Sequence, residues 1–375
     1  MTPFNIPHRA ERQDEYIKLA LDRNHFQADG HFSEAAAMCL SGRLGSTRLL
    51  LTPSASHALE LAFFDLEPGD EVIIPTYNFP SAANAVLRGG GTPVFCDIDP
   101  RTQNIDPLDA ARRITPRTRA ICAMHYAGVS CDMDALSRLC TEHNLLLVED
   151  AAHAIGANFK DKALGSIGDC SCISFHATKN IMCGEGGAYI QNSDKIPFEL
   201  QRMRREKGTN RHSFNPRIEE YYHWVTTGTS HLMPELSAAL LMAQLEELDA
   251  VIERRITLCT MYDNNLATCF VSGRLTQMEV PNYAKSNGHI FYFLCRDAAD
   301  KKYIREKMAD RDIPCLPHFE PLHLGGMGQQ LGYNRGDFPV SENTAERLLR
   351  LPIYSSLTDS QLEHICKSLL EVTVR

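Results

Sequence analysis

Up to about residue 250 the chain alternates short apolar runs with helix-like stretches. The runs cover 48–51, 71–74, 92–95, 120–123, 145–148 and 172–175, and helical patterns between them cover 55–64, 81–87 and 133–143. Few folds accept this order. A strand that is apolar along its whole length must be buried on both faces, and the intervening helices supply the cover. The expected fold class is therefore α/β, a mostly parallel sheet sandwiched by helices, with ligands bound beyond the carboxyl ends of its strands. A long helical pattern follows over 234–248 and continues through 249–255. Beyond it the pattern becomes an α+β mixture, with a strand expected at 289–295 and a closing helix at 359–370. The 375 residues thus divide into a large domain, 1–245, and a smaller α+β C-terminal domain, 246–375.

Charge and composition narrow the function classes. A net charge of −9 opposes a nucleic-acid-binding surface. No apolar run approaches the roughly 20 residues of a membrane span, and the first residues lack the basic and apolar regions of a signal peptide. The 13 cysteines are an odd number, scattered through apparent core runs such as 94–96 and 121–122. They read as reduced thiols packed as small hydrophobes in a cytoplasmic protein. Cys170 and Cys172 with His176 lack a second ligand pair at zinc spacing, so no metal is expected.

Chemistry-bearing residues gather where strands end. Ser174-Phe175-His176-Ala177-Thr178-Lys179-Asn180 leaves one apolar run and precedes Gly184-Glu185-Gly186-Gly187. A lysine so placed can hold a cofactor aldehyde as a Schiff base, Ser174 can reach a phosphate, and the glycines allow close backbone approach. The run 145–148 ends in Glu149-Asp150, followed by His153. Asp150 can pair with a protonated pyridine nitrogen or simply cap the next helix. His153 can bond a phenolic oxygen or be an ordinary buried histidine. Ser54-Ala55-Ser56-His57 enters a helix, where Ser56 and His57 suit an anion, while Ser54 or Ser56 can equally be a plain N-cap. Phe79 can stack on a flat ring or belong to the core. Together these are the parts that pyridoxal phosphate needs: lysine, pyridinium partner, stacking ring and phosphate cup.

With those residues in view, the chain resembles the sugar aminotransferases of the DegT/DnrJ/EryC1/StrS type, within the fold-type I enzymes dependent on pyridoxal 5'-phosphate. Matching stretches are Pro75-Thr76-Tyr77-Asn78-Phe79, His125-Tyr126-Ala127-Gly128, Glu149-Asp150-Ala151-Ala152-His153, the Lys179 segment with its glycines, and His318-Phe319-Glu320-Pro321-Leu322-His323. The resemblance implies a seven-stranded-type sheet, Lys179 as the Schiff-base lysine and Asp150 as the ring-nitrogen partner. It implies Phe79 as the stacking ring and His153 at the phenolic oxygen. Ser56, the backbone of His57 and Ser174 would hold the phosphate. Where much of the family has Gly-Tyr-Asn-Tyr-Arg, this chain has Gly228-Thr229-Ser230-His231-Leu232, so Ser230 stands in place of an asparagine that reaches the neighbouring subunit's phosphate. That departure, with Lys207, Asn210, Arg211 and Tyr222 upstream, is similar to the branch of dTDP-4-amino-4,6-dideoxygalactose transaminases of enterobacterial common antigen synthesis.

The resemblance therefore implies amination of a nucleotide-linked 4-keto-6-deoxy sugar with L-glutamate as donor, in a homodimer whose active site lies at the subunit interface. Lys207, Asn210, Arg211, Tyr222, His318 and His323 are the expected substrate residues. The rivals are the same chemistry on a 3-keto or GDP-linked sugar, a dehydratase of the same fold, and a non-catalytic binding protein. Dehydratases of the family carry a histidine where this chain keeps Lys179.

Overall fold

The computed structural model describes residues 2–373. Its centre is a seven-stranded sheet. The strands are β1 (Leu49–Thr52), β2 (Glu71–Pro75), β3 (Thr92–Cys96), β4 (Thr118–Met124), β5 (Leu146–Asp150), β6 (Cys170–Ser174) and β7 (Gly187–Gln191). They lie in the order β1-β7-β6-β5-β4-β2-β3. Only β7 runs against its neighbours, β1 and β6; the remaining pairings are parallel. The expected α/β class and mainly parallel sheet are thus present.

Both faces are covered because side chains alternate along each strand. Ile73, Ile121, Leu147 and Ile173 enter one core, with the helices His31–Leu44, Met133–Glu142 and Glu235–Glu246. Val72, Ile74, Val148 and Cys172 enter the other, with the helices Ala55–Ala62 and Pro80–Arg88. A third core surrounds Phe291, Phe293, Leu349 and Leu351 of a small antiparallel sheet and includes the closing helix Asp359–Thr373. All 13 cysteines are unpaired, and most are buried.

The expected helix from 234 to 255 is two helices, Glu235–Glu246 and Leu248–Val271, meeting at Glu247. Leu245, Leu248 and Ile252 belong to the first core, whereas Leu258 and Tyr262 belong to the third. The change of core therefore falls inside the second helix, beyond residue 245. Leu322, Leu331, Tyr333 and Phe338 also return to the sheet and pack on its Val72 face.

Register fixes the functional edge. Gly187 pairs with Ser174 at the end of β6 and with Thr52 at the end of β1. Asp150 at the end of β5 pairs with Cys172 of β6. A Cβ on Gly187 would fall inside van der Waals contact of the Ser54 carbonyl carbon and the Ala55 nitrogen. The bare glycine lets β7 pass directly beneath the turn that starts the Ala55–Ala62 helix. No helix among the described residues is long and apolar enough to cross a membrane.

Candidate active site

A cavity of about 770 Å³ opens at this edge, between the carboxyl ends of the strands and the C-terminal third of the chain. Its wall includes Ser54, Ser56, Phe79, Ser81, Asp150, His153, Ser174 and Lys179 from the first side, with His289, His318, Phe319 and Arg350 opposite.

Lys179 sits on a loop that the backbone pins from both ends. Phe175 N donates to Gly186 O at 2.8 Å, Ala177 N to Gly184 O at 2.8 Å and Lys179 N to His176 O at 2.9 Å. The side chain of the next residue, Asn180, donates to Asn287 O at 3.1 Å. The Lys179 ammonium forms no hydrogen bond or ion pair among the described residues. Burial pushes its pKa down to about 8; the charge of Asp150 opposes that fall and the charge of Arg350 adds to it. A lysine so tuned carries a useful fraction of neutral amine near neutral pH.

Asp150 is buried, and its Oδ1 accepts from Ala152 N at 3.2 Å in a turn. No helix starts there, so Asp150 is not a helix cap. Burial raises its pKa, while the Ala152 N–H and the charge of Lys179 pull it back. A cationic ring opposite this carboxylate would pull its pKa down in the same sense as the charge of Lys179. The neighbouring Glu149 is wholly buried and faces the other way. It bonds His125 Nε2 at 3.0 Å and accepts from Gly165 N, Ile167 N and Gly168 N at 2.7–2.8 Å.

The hydroxyls cluster beside the turn after β1. Ser54 is the N-cap of the Ala55–Ala62 helix, and Ser56 Oγ lies 2.6 Å from Ser81 Oγ. His176 N donates to Ser174 Oγ at 3.4 Å. His57 departs from expectation: its backbone N–H donates to Ser54 Oγ at 3.3 Å, and its ring packs on His231 at 4.5 Å, outside the cavity wall. Ser54, two positions before Ser56, takes the cap and so uses the N–H expected at a phosphate. Ser54 and Ser81 are wall residues that sequence reasoning missed. A hydroxyl at the N-cap or in the first turn of a helix that follows a strand was the available signal.

Phe79 stays 58 % exposed at the cavity rim, 6.2 Å from Phe319. His153 is buried and unpartnered at Nδ1, with its ring 4.4 Å from His289 and stacked 5.9 Å from His318. Burial first, and then the charge of Lys179, hold His153 well below the usual histidine pKa, so it is a neutral imidazole. His318 lines the cavity and bonds Tyr126 Oη at 2.8 Å through Nδ1. His323 does not line it. It is fully buried between Thr76 Oγ1 at 2.8 Å and Glu342 at 2.9 Å, with both ring nitrogens engaged, which corrects the expectation of a sugar contact.

Lys207, Asn210, Arg211, Tyr222 and Ser230 also lie outside this chain's own cavity wall. They belong to an arm whose base is closed by bridges between Glu206 and Ser230 and between Thr209 and Trp224. Asn210 Oδ1 accepts from His223 N at 2.7 Å, Arg211 approaches Asp29 at 3.9 Å, and Tyr222 meets Phe214 edge-on at 5.8 Å. The arm presents Ile218 at 82 % and Trp224 at 80 % exposure.

The wall has the parts to hold a phosphorylated pyridine aldehyde: an amine of depressed basicity, a buried carboxylate, a hydroxyl cluster at a helix N-terminus and an unpartnered imidazole nitrogen. Fold and wall together define a lysine-dependent α/β enzyme of the pyridoxal-phosphate type. The DegT/DnrJ/EryC1/StrS aminotransferase family matches residues 7–370, and the chain belongs to that family. It is a nucleotide-sugar aminotransferase with pyridoxal 5'-phosphate as cofactor. The chain is 30 % identical over 367 residues to the GDP-perosamine synthase of Caulobacter vibrioides, covering 96 % of this chain and 95 % of that protein. It is 31 % identical over 318 residues to the dTDP-4-dehydro-2,3,6-trideoxy-D-glucose 4-aminotransferase of Saccharopolyspora spinosa, covering 83 % and 80 %. Among solved structures, Helicobacter pylori PseC, an aminotransferase involved in the biosynthesis of pseudoaminic acid, aligns with a TM-score of 0.91 at 26 % identity, covering 99 % of this chain and 98 % of that one.

Proposed function

We propose that the enzyme transfers the amino group of L-glutamate to C4 of dTDP-4-keto-6-deoxy-D-glucose, giving dTDP-4-amino-4,6-dideoxy-D-galactose for surface-polysaccharide synthesis in the cytoplasm. The observation that carries this reading is the stretch from Glu206 to Ser230, which leaves the wider family's pattern and resembles the branch with that substrate. Similarity to a dTDP-linked 4-aminotransferase supports it. Similarity to GDP-perosamine synthase favours a second reading, the same reaction on a GDP-linked 4-keto-6-deoxy sugar.

Pyridoxal phosphate, when bound, supplies an aldehyde for the migrating nitrogen and a ring that accepts electrons from the deprotonated carbon. Lys179 is the residue that binds the aldehyde and, once free, moves the proton: Nζ takes it from the donor's α-carbon and later returns one, acting as base and then acid. Its lowered pKa, about 8, suits both tasks near neutrality. Asp150 would hold the proton on the ring nitrogen by offering a charge in a poorly solvated site. Ser56 and Ser174 would hold the phosphate through their hydroxyls, beside the N–H groups of a helix start. Phe79 would cover a face of the ring, and the neutral His153 would meet its phenolic oxygen. His318 belongs to the sugar side of the cavity. We also propose a homodimer with the active site at the interface. The exposed arm supports this, because its substrate residues Lys207, Asn210, Arg211, Tyr222 and Ser230 lie away from their own cavity and beside the apolar Ile218 and Trp224.

The test is incubation with L-glutamate and a panel of dTDP- and GDP-linked keto sugars, with products identified by NMR. The expected product is the dTDP-linked 4-amino sugar with an axial amine; exclusive turnover of GDP-linked or 3-keto sugars would reject the assignment. Lys179→Ala should lose both the yellow absorption band of the bound cofactor and turnover.

A further inference from the structure

One imidazole on the cavity wall has no part in the chemistry above, and its neighbours fix where its hydrogen lies. Asn180 follows Lys179 in the chain and is buried; its Nδ2 donates to Asn287 O at 3.1 Å. That bond orients the amide, so Oδ1 is the atom left for His289 Nδ1, 2.8 Å away. An amide oxygen only accepts, so Nδ1 carries the ring's hydrogen and Nε2 keeps a lone pair. His289 is 7 % exposed and lines the cavity, and its Nε2 has no hydrogen-bond partner among the described residues. Burial first, and then the charge of Lys179, hold the ring well below the usual histidine pKa, so it is neutral.

The ring is held from several sides. Asn287 Oδ1 accepts from His289 N at 3.1 Å, while Asn287 Nδ2 donates to His153 O and Ile155 O at 2.8 and 2.9 Å. Arg255 Nη2 donates to His289 O at 2.7 Å. These bonds join the His289 segment to the Lys179 loop on one side and to the His153 turn on the other. A buried acceptor without a donor is costly. Lys179 is the matching donor: it has three N–H bonds and no acceptor among the described residues. The other acceptors of the wall have work elsewhere. Asp150 serves the cofactor ring, Ser56 and Ser174 the phosphate, and His318 Nδ1 is bonded to Tyr126.

An amine that moves a proton must turn its lone pair, and not an N–H, towards the carbon. An acceptor that engages one N–H sets that orientation, and it holds an ammonium more strongly than a neutral amine. We propose that His289 is a positioning residue for Lys179: whenever the amine is free of the cofactor, Nε2 accepts one of its hydrogens and aims its lone pair at the reacting carbon. Asn180 acts through His289 by fixing the tautomer. The inference rests on the role given to Lys179 above and is independent of which sugar accepts the nitrogen.

The test compares the full-length wild type with His289→Leu, His289→Gln and Asn180→Ala. Glutamine can place an amide oxygen near the position of Nε2, whereas leucine only fills space. The first readout is the pH midpoint of Lys179 labelling by an amine-selective probe in the cofactor-free chain. The second is single-turnover bleaching of the holoenzyme's cofactor band by L-glutamate, and urea unfolding registers any structural cost. Asp150 and Arg350, which also act on Lys179, and Arg255, His318 and Arg350, which act on His289, stay the same in every variant. His289→Leu should lower the labelling midpoint by about one pH unit, the difference between a charged and a neutral hydrogen bond. It should slow bleaching about tenfold, with the glutamate concentration for half-maximal rate unchanged. His289→Gln should recover both readouts to within about threefold of the wild type. Asn180→Ala, which frees the ring to move its hydrogen to Nε2, should shift the midpoint in the same direction as His289→Leu. An unmoved midpoint in His289→Leu overturns the proposal. Equal losses in the leucine and glutamine variants that track their urea midpoints overturn it as well, since they would mark a purely structural role. If L-glutamate failed to bleach the wild type, the donor would be rejected, while a midpoint lowered by leucine and restored by glutamine would still support His289.

Discussion

The sharpest consequence of the site's electrostatics is the reactivity of Lys179 in the cofactor-free protein. Burial is the leading cause of its pKa near 8, with Asp150 pulling upward and Arg350 downward. At pH 7.5 a pKa of about 8 leaves about a quarter of the amine neutral, against about 0.1 % for an ordinary lysine. Lys179 should therefore outpace solvent-exposed lysines by roughly two hundredfold on this ground alone. The assay is a brief pulse of an amine-selective probe at pH values from about 6.5 to 10, followed by mass spectrometry of the peptide containing Lys179. The rate should rise with pH and level off above about 8, while surface lysines keep accelerating. Two variants give the signs. Asp150→Asn removes the charge that favours the ammonium, so the midpoint should move to lower pH. Arg350→Gln removes a charge that opposes it, so the midpoint should move up. Both displacements should be smaller than the effect of burial. A wild-type midpoint at the ordinary lysine value, or two variants that shift in the same direction, would refute this account of the site.

Two further predictions concern the frame around the site. Glu149→Gln places an amide N–H2 against the N–H donors of Gly165, Ile167 and Gly168 and breaks the buried pair with His125, so urea unfolding should show a loss of about 3–5 kcal/mol. Burial pushes the Glu149 carboxyl up, but the hydrogen bond and charge of His125 and the backbone N–H groups outweigh it and hold it below the usual range. Its stabilisation is therefore complete above the unfolded value of about 4.3 and is lost as pH falls through the lower folded value. The variant's acid unfolding curve should lack that component, and an unchanged curve would contradict the assigned pairing. Gly187→Ala drives a methyl into the backbone of Ser54 and Ala55, which cannot rotate away. It should cost about 1–3 kcal/mol and weaken pyridoxal phosphate binding measured by fluorescence quenching, since the displaced turn carries Ser56.

How much of this was legible in the sequence depends on what sets each residue's position. Lys179, Asp150, Ser174, Ser56, Phe79 and His153 stand far apart in the chain, yet each closely follows or ends an apolar run. A parallel sheet brings such ends to one edge, so reading the runs was enough to gather these residues on one wall. Where neighbouring residues compete for one backbone donor, that logic gives no answer. Ser54-Ala55-Ser56-His57 offers two capping hydroxyls, and the winner, Ser54, takes the His57 N–H. Residues placed by distant partners were also out of reach. His318 and His323 share one loop, but Thr76 and Glu342 bury His323, while Tyr126 holds His318 at the cavity. The helix break at Glu247 has no glycine or proline to announce it. Arg350 is the strongest case. Within Leu348-Leu349-Arg350-Leu351 it reads as the one polar position of an edge strand. Only the return of that strand to the sheet's edge, with Pro317 on one side and Phe4 over its plane, turns the position into a cation aimed at Lys179's cavity. The catalytic half of the wall is written in strand ends, and the half that would choose the substrate is written in tertiary contacts, which is why the reaction class could be read from the chain sooner than the identity of its substrates.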